Sequence, residues 1–179
     1  MIFTETMLKG AFLIDVEPHE DERGFFARTF CVDEFQAHGL NARMVQCSIS
    51  FNKARGTLRG MHWQTAPQAE AKLVRVTRGA IFDAIIDLRP ASPTFKQHFV
   101  CELTASNHRT LYVPEGCAHG FQTMEDDTEV FYQMSAVFAP ALARGVRWDD
   151  PAFGIQWPDV PRRILNPRDA SYPNFGGVA

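Results

Sequence analysis

The stretch LYVPEGCAHGFQTM, residues 111–124, holds two short apolar runs separated by a proline–glycine turn. Similar runs recur along the chain, and they read AFLIDVEP, FFARTFCV, LVRVTRG, AIFDAIIDL, FKQHFVCEL and TEVFYQMSAVF. Each is rich in Val, Ile, Phe or Thr and is bounded by turn-forming residues, which is typical of β-strands. Many strands at close spacing predict an all-β sandwich or barrel rather than an alternating α/β protein.

Helices are scarce in this sequence. The best candidate is VDEFQAHGL, residues 32–40, in which Asp33 would be the N-cap and Gly39 the residue that ends the helix. From about Trp148 onward, frequent Pro, Asp and Arg residues predict an irregular tail that wraps over the strands. The chain shows no repeat, low-complexity tract or linker, so we expect one domain over residues 1–179.

The composition of the chain argues against some classes of partner. Hydrophobic residues make up 45% of the 179 residues and the net charge is −3, which speaks against a nucleic-acid or membrane-surface partner. Charged residues interrupt the apolar N-terminus, and no segment approaches the ~20 apolar residues that cross a bilayer. The four cysteines are scattered. We therefore expect a soluble, cytoplasmic protein with reduced thiols.

Strand alternation places a lysine on an apolar face. In KLVRVT, residues 72–77, Lys72, Val74 and Val76 point to the same side of the strand. A face that mixes one polar side chain with aliphatic ones is typical of a barrel interior that holds a ligand. Lys72 therefore either extends outward to solvent or serves a ligand.

The densest polar cluster is TLRGMHWQ, residues 57–64, followed by Lys72. It brings the guanidinium of Arg59 and the imidazole of His62 close to the lysine within one strand pair. A cross-strand polar patch with a surface histidine would explain the same residues. Because the cluster lies between apolar strands, we favour a functional site.

A PxGxxH pattern, formed by Pro114, Gly116 and His119, resembles the second motif of the cupin superfamily. The proline and glycine make a turn, and the histidine then enters a strand that faces the barrel interior. A turn followed by an ordinary core histidine would produce the same short pattern.

Many cupins bind a metal, usually through an HxH motif. Here His62 begins the triplet HWQ, so the second histidine of that motif is missing. His62, His119 and Glu70 are still a conceivable 2-His-1-carboxylate set. The positive charge of Lys72 on the same face opposes a cation, so we expect no metal.

Six segments together resemble the dTDP-4-dehydrorhamnose 3,5-epimerase family. They are DERGFF (21–26), TLRGMHWQ (57–64), AKLVRVTRGAIFDAIIDLRPASPTF (71–95), LYVPEGCAHGFQTM (111–124), EVFYQMS (129–135) and GVRWDDPAFGIQWP (145–158). The likeness runs from about residue 10 to about residue 170. It implies a cupin-type jelly-roll β-barrel, a homodimer, a nucleotide-sugar substrate and no cofactor.

The resemblance also implies catalytic residues. His62 matches the general base that removes a proton next to the C4 ketone of a deoxyhexose, and Asp169 matches the acid that pairs with it. Tyr132 matches the tyrosine that returns the proton on the opposite face, and Lys72 would stabilise the enolate oxygen. The set suits the reaction, because a weakly acidic proton next to a ketone needs a base and a cation for the developing oxyanion.

Substrate contacts follow from the same resemblance. Arg23 and Arg59 match positions that contact the diphosphate. Arg28 stands where the family commonly has a glutamate, and Phe138 where it has a tyrosine that stacks on the base. The expected substrate-binding residues are Arg23, Arg28, Gln46, Cys47, Ser48, Arg59, His119, Phe138 and Arg168. Because the departures lie on the nucleotide and pocket walls, the sequence does not decide the nucleotide base. Whether C3, C5 or both are inverted depends on whether the sugar can flip within the pocket, which a sequence does not show.

Other functions fit parts of the pattern. A single-site epimerase or a ketoisomerase acting on another nucleotide sugar would use the same base, although a ketoisomerase needs no opposite-face tyrosine such as Tyr132. A metal-dependent cupin oxygenase would need the missing HxH histidine. A non-catalytic sugar-binding cupin would have no need of the His62–Asp169 pair.

Overall fold

The computed structural model describes residues 1–176, and antiparallel strands make up most of its regular structure. The strands are β1 (Ile2–Glu5), β2 (Phe12–Asp15), β3 (His19–Asp21), β4 (Gly24–Phe26), β5 (Gln46–Asn52), β6 (Leu58–Gln64), β7 (Lys72–Arg78), β8 (Ala80–Asp87), β9 (His98–Thr104), β10 (Thr110–Val113), β11 (Cys117–Thr123), β12 (Thr128–Met134) and β13 (Ala143–Gly145). The helices are α1 (Val32–Ala37), α2 (Pro167–Ser171) and a 3-10 helix (Pro140–Leu142). None of the helices in this part of the chain is long and apolar enough to cross a membrane. The prediction of an all-β fold is confirmed.

Eleven of the thirteen strands form two sheets that pack face to face, and β3 and β4 form a separate two-stranded hairpin. The larger sheet has the order β1-β2-β10-β7-β12-β5, and the smaller has the order β13-β6-β11-β8-β9. Strands that follow one another in sequence, such as β6 and β7 or β7 and β8, lie in different sheets. The chain therefore crosses repeatedly between two layers, as jelly-roll folds do.

The main core lies between the two sheets. Because successive residues of a strand point to opposite faces, Val74 and Val76 of β7 point inward, and Leu73 points outward to pack near Phe35 of α1. This is the alternation that the sequence predicts. The buried core residues from both sheets include Val74, Val76, Ile81, Ile85, Leu103, Leu111, Val113, Phe121 and Val130.

The segment after β13 covers the outer face of the smaller sheet. Phe153 packs in a cluster with Met61 of β6. Further along, the carbonyl oxygen of Ile164 accepts a hydrogen bond from the Leu58 N–H at 2.8 Å. The prediction of an irregular tail is confirmed, since α2 and one β-bridge at Ile164 are the regular structure found between residues 148 and 176.

Two local predictions are wrong. Of the predicted strand FFARTFCV, only the first two residues are in a strand, because β4 ends at Phe26. The N-cap of α1 is Cys31, whose side chain makes no capping hydrogen bond, and Asp33 lies inside the first turn. There its charge interacts favourably with the helix dipole. Gly39 does end the helix, and its φ of +69° is a conformation that glycine adopts without strain.

Replacing Ile85 by alanine tests the packing of the core. Ile85 is fully buried, and its truncation leaves a cavity, so we expect the free energy of unfolding to fall by about 2–5 kcal/mol. Ile2→Ala is the matched control, because Ile2 is 52% exposed and its truncation should cost less than about 0.5 kcal/mol. Urea unfolding at one protein concentration measures both. Equal losses would show that Ile85 is not part of the core.

Candidate functional site

A cavity of about 590 Å³ opens between the two sheets. One wall comes from β5, β7 and β12 of the larger sheet, and the other from β6, β11 and β13 of the smaller sheet. Residues of α2 and its flanks complete the lining. The structure brings together ten of the residues predicted from sequence, which are Gln46, Ser48, Arg59, His62, Lys72, His119, Tyr132, Phe138, Arg168 and Asp169.

His62 and Asp169 form a hydrogen-bonded pair on the wall of the smaller sheet. His62 Nε2 lies 2.8 Å from Asp169 Oδ1, and the Gly60 N–H donates to Asp169 Oδ2 at 3.2 Å. The Asp169 side chain is 1% exposed, whereas that of His62 is 39% exposed. Burial alone would raise the pKa of Asp169, but the contacts with His62 and Gly60 outweigh it and hold that pKa below its usual range. Asp169 is therefore ionised, and His62 Nε2 carries the proton that the carboxylate accepts.

The start of α2 positions Asp169 next to His62. Asn166 is the N-cap, and its Oδ1 accepts a hydrogen bond from the Asp169 N–H at 2.7 Å. Pro167 follows in the first turn, where its fixed φ suits a helix and its missing N–H costs nothing. The side chain of Asp169 then points at β6 and is buried there.

A second histidine–carboxyl pair lies beside the first. His119 of β11 is the register partner of His62 on β6, and its Nε2 lies 2.6 Å from Asp83 Oδ1. Both side chains are buried. Burial raises the pKa of Asp83, although His119 and Lys72 oppose the shift. The cavity thus contains two imidazoles, each oriented by its own carboxyl group.

Lys72 enters the cavity from β7. Its Nζ lies 3.0 Å from Glu70 Oε1, and both side chains are mostly buried. An ammonium group has three donors. Lys72 can therefore donate to an oxygen atom in the cavity while it remains paired with Glu70.

Tyr132 faces the histidines from β12 of the larger sheet. Its ring meets that of His119 edge to face, with centroids 6.0 Å apart and planes at 76°. Burial raises the pKa of Tyr132 well above its ordinary value, so the phenol is protonated at neutral pH. Because His62 and Tyr132 belong to different sheets, they lie on opposite walls of the cavity.

Further lining residues are held by specific contacts. Arg59 donates through Nε to Asn52 Oδ1 at 2.8 Å. Gln46 Oε1 accepts a hydrogen bond from the Phe138 N–H at 2.9 Å, and the ring of Phe138 is exposed. The arrangement leaves a cation and an aromatic ring accessible to a ligand.

Three predicted contacts lie outside the cavity. Cys47 points to the opposite face of β5 from its two neighbours, which is the direction that strand alternation requires. Arg23 lies at the exposed β3–β4 hairpin and pairs with Asp21, and Arg28 pairs with Glu34. None of the three reaches the cavity of its own chain.

Sequence reasoning missed two residues that the structure places at this site. Asp83 interrupts the apolar run AIFDAIID and shares a strand face with Ile81 and Ile85, and this pattern was the available signal. Tyr172 lines the cavity from the end of α2. It lies in the tail, where no periodicity indicates which side chains turn inward.

The residues considered for a metal site have other partners. His62 and His119 each bond a carboxyl group, and Glu70 pairs with Lys72. Within residues 1–176, no group of three or more His, Cys, Asp or Glu residues is arranged to hold a metal ion.

The sequence model of the dTDP-4-dehydrorhamnose 3,5-epimerase family matches residues 5–176. A dTDP-4-dehydrorhamnose 3,5-epimerase from Methanothermobacter thermautotrophicus is 43% identical, over 87% of this chain and 83% of that protein. The crystal structure of the Bacillus anthracis protein of that name, with TDP and PPi bound, has a TM-score of 0.92 and 38% identity, covering 97% of this chain and 99% of that one. A 3′-monoepimerase from Streptomyces bikiniensis, in complex with dTDP-quinovose, has a TM-score of 0.86 and 32% identity, covering 94% and 85%. Since the likeness extends over nearly the whole chain in both sequence and fold, the chain belongs to the dTDP-4-dehydrorhamnose 3,5-epimerase family of isomerases.

Proposed function

We propose that this chain inverts C3, C5 or both beside the C4 ketone of a nucleotide-linked 4-keto-6-deoxyhexose of the dTDP-4-dehydro-6-deoxy-D-glucose type. One observation carries the proposal: His62 and Tyr132 lie on opposite walls of one cavity that also contains Lys72. Inversion requires a base on one face of the sugar and an acid on the other. Membership of the family and the TDP bound to the Bacillus anthracis relative support the substrate class.

His62 is the proposed base. Because Asp169 accepts a hydrogen bond from Nε2, the lone pair of the neutral ring lies on Nδ1. Nδ1 takes the proton from the carbon next to the ketone, and the buried carboxylate stabilises the imidazolium that forms. The partial exposure of the His62 ring leaves it accessible to substrate.

Lys72 and Tyr132 complete the reaction. The electrons of the broken C–H bond move to the ketone oxygen, and Lys72 donates to the resulting enolate. The neutral phenol of Tyr132 then gives its proton to the same carbon from the opposite side, which inverts the centre. Exchange with solvent returns a proton to Tyr132 and removes one from His62.

The nucleotide part of the substrate has suitable partners at the same cavity. Arg59 and Arg168 provide guanidinium groups, which bind phosphate oxygens well. The exposed ring of Phe138 can stack on the base. Gln46 and Ser48 add hydrogen-bonding groups on β5.

A second candidate is inversion at one carbon only, which the similarity to a 3′-monoepimerase favours. Incubation with dTDP-4-dehydro-6-deoxy-D-glucose in heavy water separates the two. Deuterium at both C3 and C5 identifies a double epimerase, and deuterium at one carbon identifies a single-site enzyme. Uptake only with a CDP- or GDP-linked sugar would identify another nucleotide. No uptake with any of these sugars would contradict the proposed function.

We also propose that the protein works in the cytoplasm without a cofactor. All four cysteines are unpaired thiols, as is usual for cytoplasmic proteins. Burial raises the pKa of Cys117 to about 12, so this thiol has little reactivity. Side chains already present supply every proton transfer in the proposed reaction.

A homodimer is proposed as the working state. Ile49 and Phe51 lie on the edge strand β5 and are 61% and 45% exposed. Apolar side chains on an open edge indicate a protein interface. A second copy would also account for the predicted substrate contact of Arg23. Arg23 does not line the cavity of its own chain, so it would contact substrate in the cavity of a neighbouring protomer.

His62→Ala should strongly reduce catalysis while leaving the nucleotide site intact. We expect the rate of deuterium uptake to fall about 10²–10⁴-fold, because the general base is lost, with little change in affinity for dTDP. His98→Ala on β9 is the matched control, since His98 does not line the cavity. Wild-type exchange in the His62 variant would show that another group is the base.

Tyr132→Phe should separate exchange from inversion. His62 can still remove and return a proton on its own face, so we expect deuterium uptake with retained configuration, while inverted product falls about 10²–10⁴-fold. Because burial raises the pKa of Tyr132, the wild-type phenol stays protonated and this loss should be constant from about pH 7 to 9. NMR of the products measures both. Undiminished inversion in Tyr132→Phe would mean that the acid is elsewhere.

The proposed dimer predicts a solution mass of twice the 20.2 kDa of one chain, measured by light scattering. Phe51→Glu should shift the mass toward the monomer, because it places a charge on the apolar patch. Ile2→Glu, on the other edge of the same sheet, is the matched control and should remain dimeric. A monomeric wild type would refute the dimer.

A further inference from the structure

Residues 135–139 form the loop that carries Phe138, the ring proposed to stack on the nucleotide base. The loop follows the end of β12 and contains no helix or strand before the 3-10 helix begins at Pro140. The side chains of Val137 and Phe138 are 61% and 54% exposed. Because packing holds so little of these two side chains, the position of the ring depends on the hydrogen bonds of the loop backbone.

The side chain of Gln64 bonds the loop on both sides of this ring. Its Oε1 accepts a hydrogen bond from the Ala139 N–H at 2.7 Å, and its Nε2 donates to the carbonyl oxygen of Val137 at 3.1 Å. These are the residues that flank Phe138. Nε2 also donates to the carbonyl oxygen of Gln68 at 2.6 Å, in the segment that leads to β7.

The smaller sheet holds Gln64 in turn. Gln64 is the last residue of β6, it is the register partner of Ala143 on β13, and it is 2% exposed. An amide nitrogen has two N–H donors, and the two carbonyl groups occupy both. Although Gln64 lines the cavity, its amide has no donor left for a ligand, so it acts on the loop.

A second glutamine bonds Phe138 itself. Its N–H donates to Oε1 of Gln46, which belongs to β5 in the larger sheet. Backbone groups of three successive residues, from Val137 to Ala139, are therefore held by side chains from both sheets. The ring is in place before a ligand arrives, and binding does not have to order the loop. Preorganisation of this kind increases affinity.

We propose that Gln64 is a positioning residue for nucleotide binding, because it holds the residues on both sides of Phe138 and so keeps the ring where it stacks on the base. The inference rests on the proposed function, since it requires a nucleotide-linked substrate whose base reaches Phe138. Gln64 acts through the ring, so its contribution belongs to the base of the substrate. The diphosphate, with Arg59 and Arg168 as its proposed partners, should not depend on it.

Gln64→Met removes all three hydrogen bonds and keeps an unbranched side chain of the same length. We expect the affinity for dTDP, measured by calorimetry, to fall about tenfold, because binding must then order the loop. The affinity for inorganic pyrophosphate, which has no base, should stay unchanged. With the nucleotide sugar, KM should rise about tenfold with a much smaller change in kcat, because stacking on the base is equal in the ground and transition states.

Gln122→Met is the matched control. Gln122 is also fully buried, donates to the carbonyl oxygen of Pro158 at 2.9 Å and accepts from Arg163 Nε at 2.8 Å, but it does not line the cavity. Both variants should lose stability toward urea, and only Gln64→Met should lose affinity for dTDP. Gln64→Glu keeps an acceptor and removes both donors. It should also weaken dTDP binding, and it replaces Gln64→Met if that variant fails to fold.

A double-mutant cycle with Phe138→Ala tests whether Gln64 acts through the ring. Phe138→Ala alone should weaken dTDP binding about tenfold, because stacking on the base is lost. In the Phe138→Ala background, a change at Gln64 should weaken dTDP binding no further. A general loosening of the cavity would instead add its own loss to that of Phe138→Ala.

The outcomes separate this inference from the proposed function. A wild type that takes up no deuterium with any of the nucleotide sugars overturns both. If the wild type is active, unchanged dTDP affinity in the Gln64 variants, or additive losses in the cycle, overturns the role of Gln64 alone. Unchanged dTDP affinity in Phe138→Ala overturns the stacking and this inference with it, and leaves the proposed inversion standing. If the sugar turned over is linked to CDP or GDP, that nucleotide replaces dTDP in each measurement.

Discussion

The hydrogen bond between His62 and Asp169 joins a strand of the smaller sheet to a segment that belongs to neither sheet. That segment first packs Phe153 on the outside of the sheet, then bonds the backbone of β6 through Ile164, and only then forms α2. A buried carboxylate without partners would be strongly destabilising, so Asp169 requires both its hydrogen bonds and the packing that holds α2 in place. The packing of the tail therefore determines the tautomer of His62, because it positions the carboxylate that accepts the hydrogen bond from Nε2.

The second constraint is the crossing of the chain between the two sheets. His62 and Lys72 are close in sequence, yet β6 and β7 lie in different layers, so the two side chains come from different walls. Tyr132 joins Lys72 on the larger sheet, and His119 joins His62 on the smaller. A two-layer fold thus separates the proposed base from the proposed acid by the width of the cavity. The same backbone arrangement that buries the core also separates the two proton-transfer steps.

A feature of the fold or of the site can be predicted from the sequence when neighbouring residues determine it, and not when it depends on long-range packing. The inward direction of Lys72 follows from the period of a strand, which short sequences reveal. The prediction that Asp33 is the N-cap of α1 was wrong. The backbone conformation sets the start of a helix, here at Cys31, and a suitable capping side chain two residues later does not move that start. Asp169 could be paired with the base only through a family resemblance, since its position depends on packing of the whole tail. The direction of the hairpin that carries Arg23 is likewise a long-range property.

The position of α2 has a consequence for how this protein can be inactivated. Every strand of both sheets precedes residue 146, whereas Asp169 and Tyr172 come from a short helix and the residue that ends it. A single proteolytic cut ahead of α2 would leave every strand on one fragment and place Asp169, the partner of the proposed base, on the other. Such a cut would also separate Arg168 from Arg59, so it would divide the proposed phosphate contacts as well as the proposed catalytic pair.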